Sequence, residues 1–214
     1  YLFFYIGMAH TTGVRSSIIT GSGVFLAIVV AAFIFHQEKL NATKIIGTLI
    51  GFAGVLIVNI TGINGGGQWS FMGEGFIFFA AISSAFSSSF IKKFSNDADV
   101  VMLSGYQFFT GGVVLAVIGK LLGGNVVIST PNAVIMIIYM AFISATAYTI
   151  WSILLKFNTV SKVSVYKFMN PVFGVILSAL FLPGESSQIG GQIIVALMFV
   201  CVGIVIVNNV QTHQ

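Results

Sequence analysis

Between Lys162 and Asn209 the chain is two apolar runs joined at one turn. The first run reaches Leu182, Pro183-Gly184-Glu185 turns the chain, and the second reaches Val207. Each has about 20 residues, the length a helix needs to cross the hydrocarbon of a bilayer. Hydrocarbon offers no partner to a backbone N–H or C=O, so such runs must satisfy their own hydrogen bonds as helices. Pro171 lies near the middle of the first run. It has no N–H, and its ring disturbs the bond to the carbonyl of Lys167. Inside a membrane that carbonyl must face protein or a water-lined cavity. Asn170 adds an amide at the same depth. Two readings stand side by side: a kink on a solute pathway, and a packing kink with Asn170 bonded to a neighbouring helix.

The same pattern occurs earlier in the chain. Glu38 after Phe33-Ile34-Phe35-His36-Gln37 corresponds to Glu185 after Leu180-Phe181-Leu182-Pro183-Gly184. A shift of 147 places Thr12 on Thr159, Arg15 on Lys162, Ser17 on Ser164 and Val24 on Pro171. Gly21 and Gly23 flank Val24 and loosen the helix where the other copy has its proline. Two extra loop residues make the shift 149 for the closing helix, where Gly54-Val55-Leu56-Ile57-Val58-Asn59 matches Gly203-Ile204-Val205-Ile206-Val207-Asn208. An internal repeat constrains a fold more than any single motif does.

Eight apolar segments follow from the pattern: 1–10 (incomplete), 14–35, 42–60, 70–91, 100–122, 132–156, 161–182 and 187–208. The chain is 57% hydrophobic, 7% charged, and has a mean hydropathy of +1.04. Soluble domains carry about 25% charged residues, so this is an integral membrane protein. The connections are short and leave no room for a soluble domain. The net charge of +4 therefore reports orientation rather than nucleic-acid binding. Lys39, Lys44, Lys92, Lys93, Lys156 and Lys162 belong to alternate loops on one side; Arg15 and Lys120 lie on the other. The richer side is expected to be cytoplasmic, with Lys92, Lys93 and the C-terminus there and Gly65 and Gly184 outside. The single cysteine, Cys201, sits in an apolar run and has no cysteine to pair with.

The first three segments map onto the sixth, seventh and eighth. A step of five is odd, and consecutive spans alternate in direction, so the two copies are inverted. Inverted repeats are a signature of secondary transporters, whose substrate lies near the midplane at the repeat interface. Tyr1 falls on Tyr148, inside a later run, so a complete first copy is expected to have two further helices before Tyr1. The expected fold is an all-α polytopic membrane protein. It is an inverted five-plus-five helix repeat with about eight of ten transmembrane helices present. Residues 1–60 form the end of the first copy, three helices with the first incomplete. Residues 70–209 form a complete second copy of five.

Asn170-Pro171-Val172-Phe173 through Glu185, followed by a helix ending Gly-Ile-Val-Ile-Val, resembles the C-terminal signature of the EamA domain of the drug/metabolite transporter superfamily. The resemblance covers essentially the whole chain. It implies a ten-helix carrier, most often an exporter, and does not specify a substrate.

Candidate site residues lie in three segments. Gln107 is an amide deep in the fifth, beside Tyr106 and Thr110. Ser144, Tyr148 and Trp151 lie on one side of the sixth, and Tyr166 and Asn170 share a face of the seventh at α-helical spacing. Together they suit a polar organic solute; interfacial anchoring is the other role open to Trp151 and Tyr166. Gly47 and Gly51 form a small-residue motif that favours close helix packing. Ser83, Ser84, Ser87, Ser88 and Ser89 favour packing over cavity lining. Arg15, Lys162 and Lys167 are expected to snorkel to headgroups rather than meet an anion. Glu38 and Glu185 sit at helix junctions, Glu74 near an end, and Asp97 and Asp99 in a loop. His10, His36 and His213 are scattered and make no ligand set. Nothing here supports catalysis, a metal or a cofactor. The expected function is a plasma-membrane carrier moving a small polar metabolite, amino-acid-like, by alternating access. The alternatives are a carrier of anionic or nucleotide-linked sugars and a non-transporting scaffold or sensor. The expected partners are a small-molecule substrate and the lipid bilayer; a homodimer is allowed, and no nucleic acid is expected.

Overall fold

The computed structural model describes residues 1–11, 13–63, 70–124, 130–173 and 191–209. The elements in order are α1 (Leu2–Ala9), α2 (Gly13–Val29) with a π turn at Val30–Ile34, α3 (Ala42–Ile63), a π turn at Phe71–Gly75 leading into α4 (Phe76–Phe94), α5 (Val100–Leu121), α6 (Pro131–Phe157), α7 (Val160–Ser164) with a 3₁₀ turn at Val165–Phe168, and α8 (Gly191–Asn209). The chain is helical again over 169–173. The described residues are all-α, and over them the helices follow the apolar segments closely; 174–182 of the seventh segment and 187–190 of the eighth lie outside the described residues. Among the described residues four helices, Ser16–Ile34, Phe71–Phe94, Val100–Leu121 and Pro131–Phe157, are long and apolar enough to cross a membrane. The Arg15 side chain and residues Gly65, Gly184, Glu185 and His213 lie outside the described residues.

The chain divides into two compact units: 1–89 with 159–214, and 90–158. In the first, Val24, Ile28, Val55, Val165, Phe168 and Val200 form a core, with Phe52 packed against it. Phe52 meets Phe25 edge-on with ring centroids 5.4 Å apart. The Phe168 ring lies against Gly51, where any Cβ would stand 2.6 Å from it. Glycine there makes room for an aromatic ring.

The helices α3 and α8 pack closest of all. Gly47 abuts Ile206 and Val207 near the end of α8, and Gly54 abuts Ala196 and Val200 nearer its start, so the two run antiparallel. A Cβ on Gly54 would lie 2.7 Å from the Ala196 carbonyl oxygen, and one on Gly203 would lie 2.6 Å from the Gly47 carbonyl oxygen. Under the 149 shift Gly54 is equivalent to Gly203, Gly47 to Ala196 and Gly51 to Val200. The contact is reciprocal: each helix meets the other's face with its own equivalent residues. A two-fold relation requires this, and its antiparallel sense is that of an inverted repeat.

Within the second unit α5 and α6 are tied by a Ser104 hydroxyl donating to Ser152 at 2.8 Å. The Lys92 ammonium donates to the Lys156 carbonyl at 2.9 Å, so two of the lysine-bearing loops meet. Thr130 starts α6 by accepting from the Ala133 N–H, with Pro131 in its first turn, where a missing N–H costs nothing. Most of α6 is exposed and apolar, with Ile135, Ile138 and Phe142 each more than half exposed. Lipid, not water, is the solvent such a surface suits.

Candidate functional site

The seventh segment enters the first unit with its apolar side buried. Val160, Val163, Val165, Phe168 and Val172 are all nearly or fully inaccessible. Its winding tightens at Val165–Phe168, just before Pro171, and the Met169 N–H donates to the Tyr166 and Lys167 carbonyls. The carbonyl that the proline ring denies an α-helical partner thus lies in a tightened turn. A 3₁₀ turn has three residues per turn and brings residues three apart into line. The turn ends at Phe168, and Asn170 lies in the helical stretch that follows. Tyr166 is half exposed, and Asn170 is exposed.

Lys167 does not snorkel. Its ammonium donates to the Ser84 hydroxyl at 3.1 Å. Ser84 lies near the middle of the Phe71–Phe94 span, ten residues or about 15 Å of helix rise from Phe94. The serine cluster divides accordingly. Ser88 and Ser89 are buried, as helix packing requires, whereas Ser83 and Ser84 are exposed. Ser83 satisfies itself on the Phe79 carbonyl, and Ser88 on the Ser84 carbonyl.

At the end of the first unit that carries Lys39, Glu38 and Lys44 form an ion pair at 2.6 Å, with both side chains 1% exposed. The Glu38 carboxylate also accepts from the Ser161 N–H at 3.0 Å and from the Ser161 hydroxyl. Thr159, the N-cap of α7, makes no side-chain cap bond; Glu38 caps that first turn from across the fold. A carboxylate at a helix N-terminus satisfies otherwise unpaired N–H groups and suits the helix dipole. His36, with φ of 52°, ends the preceding helix in the left-handed region, and Gln37 donates to the Ser89 carbonyl at 2.7 Å. Glu74 plays a comparable part at the start of α4. It accepts from the Ser70 N–H at 2.8 Å and the Thr11 hydroxyl at 2.9 Å.

In the second unit Tyr148 meets Phe108 edge-on, with ring centroids 4.9 Å apart. Its carbonyl accepts from Ser152 at 2.9 Å. Tyr148 and Trp151 are half-buried, while Gln107 and Ser144 are exposed. The Thr110 hydroxyl turns back to the Tyr106 carbonyl at 2.7 Å. Within this unit α5 and α6 therefore bring Gln107, through its neighbour Phe108, to the level of Tyr148.

Residues 71–209 match the EamA-like transporter family. This chain belongs to that family. The uncharacterized transporter YvbV of Bacillus subtilis is 26% identical over 205 residues, covering 90% of this chain and 65% of that protein. A WAT1-related chloroplastic protein of Arabidopsis thaliana is 26% identical over 186 residues, covering 82% of this chain and 44% of that protein. An uncharacterized transporter of Archaeoglobus fulgidus is 25% identical over 208 residues, covering 92% and 69%. The chain thus spans 65% and 44% of the length of the first two relatives. One protein crystal structure shares the fold with a TM-score of 0.75 at 17% identity, covering 98% of this chain and 73% of that one. The chain is a multi-pass membrane protein of a transporter family.

Sequence reasoning about this EamA-like chain missed contacts between residues distant in the chain. Glu38 and Ser161 are 123 residues apart, and no local pattern joins them; the repeat pointed to Glu38 but not to its partner. Phe108 sits beside Gln107 in the sequence, and its contact with Tyr148 depends on the α5–α6 register.

Proposed function

We propose that the full-length protein is a secondary carrier of a small polar organic metabolite, amino-acid-like, working by alternating access at the plasma membrane. The observation that supports this best is the reciprocal antiparallel packing of α3 on α8. Two inverted copies give a carrier two equivalent conformations, one open to each side, around a fixed midplane site. A scaffold has no such use for inversion. On this reading residues 1–60 close the first repeat, 70–209 form the second, the C-terminus is cytoplasmic, and transport is outward. Gln107, Ser144, Tyr148, Trp151, Tyr166 and Asn170 serve the substrate, with Pro171 setting the break in the seventh segment.

The test is flux in proteoliposomes holding the full-length protein. A carrier shows saturable uptake that is accelerated by the same solute on the opposite side. Binding without flux, across a broad metabolite panel, leaves the sensor reading.

A further inference from the structure

We propose that two buried carboxylates, Glu38 and Glu74, tie the opposite ends of the carrier shut, and that the two ties part in turn as it works. This rests on the carrier reading and deepens it by naming the contacts that must break.

On the repeat assignment each tie joins one copy to the other. Glu38 belongs to the first copy and accepts from the N–H of Ser161, in the second, at 3.0 Å and from its hydroxyl. Glu74 belongs to the second copy and accepts from the hydroxyl of Thr11, in the first, at 2.9 Å. The ties stand at opposite ends of one span. Thr11 precedes α2 and Glu38 follows its π turn, about 30 Å of helix rise apart. When one repeat rocks against the other around a fixed site, contacts between the copies must separate at one end while they hold at the other.

The bonding makes each tie breakable. A buried charge that loses its whole environment is costly. Glu38 keeps the Lys44 ammonium of its own copy at 2.6 Å, so parting from Ser161 does not strand the carboxylate. Glu74 keeps the Ser70 N–H of its own copy at 2.8 Å when it parts from Thr11. Each carboxylate therefore has a fixed half within its copy and a separable half across the copies.

Irregular winding lies beside both ties. The π turn Val30–Ile34 leads to Glu38, the 3₁₀ turn Val165–Phe168 follows Ser161, and the π turn Phe71–Gly75 contains Glu74. Winding of this kind inside a helix often marks a hinge or a functional site.

The test needs no substrate. Ser84→Cys, at mid-span on α4 and beside the polar Lys167, is the reporter in full-length protein with Cys201→Ser. A membrane-impermeant cationic methanethiosulfonate is applied from outside on intact cells and from inside on inverted vesicles. Ser161→Ala and Thr11→Ala each remove one hydroxyl from one tie, far from the reporter. One net hydrogen bond is worth a factor of about five in an equilibrium at room temperature. With the lysine-rich end inside, Ser161→Ala should speed labelling in inverted vesicles by up to that factor and leave it no faster on cells. Thr11→Ala should do the reverse. The same opposition with the sides exchanged keeps the ties and reverses the topology. Any other pattern overturns the proposal: labelling absent, unchanged, or sped from both sides by either variant. If Ser161→Ala does not fold, one-sided labelling in Thr11→Ala decides. Saturable flux of a metabolite with labelling unchanged leaves the carrier reading standing and removes the ties. Opposed labelling without flux across the panel does the reverse.

Discussion

Gly203 and Gly51 stand so close that a Cβ on Gly203 would lie 2.7 Å from the Gly51 Cα. Both sides of this contact are backbone, so neither can move aside cheaply. Lipid gives helices no hydrophobic reason to associate, and close backbone approach through small residues is what holds them together. The equivalent contact, Gly54 against Val200 and the Ala196 carbonyl, shows the same geometry from the other copy.

Gly203→Ala and Gly54→Ala are therefore expected to lower detergent stability by similar amounts, about 1–3 kcal/mol, the usual cost of overpacking. Gly105→Ala is the control, because its Cβ would meet nothing within 4 Å and alanine is the better helix former by about 1 kcal/mol. Melting temperatures of the three variants decide the matter. A large fall in one of the pair with none in the other would break the reciprocal packing on which the repeat argument stands.

Glu38→Ala leaves the Lys44 ammonium buried without its carboxylate partner. Losing one member of a buried pair costs about 3–5 kcal/mol, and the Ser161 N–H loses its acceptor as well. The double change Glu38→Met with Lys44→Met removes both charges, so it should cost less than Glu38→Ala alone. Thermal melts of the single and double variants give the comparison. A double variant no more stable than the single would show that the cap on α7, rather than the ion pair, dominates.

The spans were legible because hydrocarbon admits few alternatives: a run of about 20 apolar residues must satisfy its own backbone. The repeat was legible because α3 and α8 present the same face to each other, so Gly54 and Gly203 occupy matching places in matching strings. What the sequence hid depends on contacts between distant residues or on local winding. Lys167 looked like a headgroup anchor because that is the cheaper place for a lysine; only the position of Ser84 across the helix interface shows otherwise. The tightening of the helix at Val165–Phe168, which includes Tyr166 but ends before Asn170, could not be read from residue spacing. The π turns at Val30–Ile34 and Phe71–Gly75 left no trace in the apolar pattern.

Orientation can be read directly. The alternate loops carry the lysines, so position 93 is expected in the cytoplasm and position 122 outside. Both residues are exposed. Lys93→Cys and Leu122→Cys, each in a Cys201→Ser background, are treated on intact cells with a membrane-impermeant thiol reagent. Labelling at 122 alone fits. Labelling at 93 alone reverses the topology and, with it, the assignment of the C-terminus.

Asn170 and Pro171 separate binding from packing. Asn170 is exposed, which already distinguishes it from the buried side of its segment. As a substrate ligand, Asn170→Ala should weaken apparent affinity by about 1 kcal/mol, one net hydrogen bond, with little change in melting temperature. As a packing residue, the same change should lower the melting temperature while surviving carriers keep their affinity. Pro171→Ala supplies the missing N–H and lets the Lys167 carbonyl regain an α-helical partner. That change should relax the 3₁₀ turn and slow turnover more than it weakens binding. The measurements are affinity and turnover per folded full-length carrier in liposomes, beside detergent melts. Turnover in Pro171→Ala equal to that of the parent would mean the break in this segment is not part of the transport cycle.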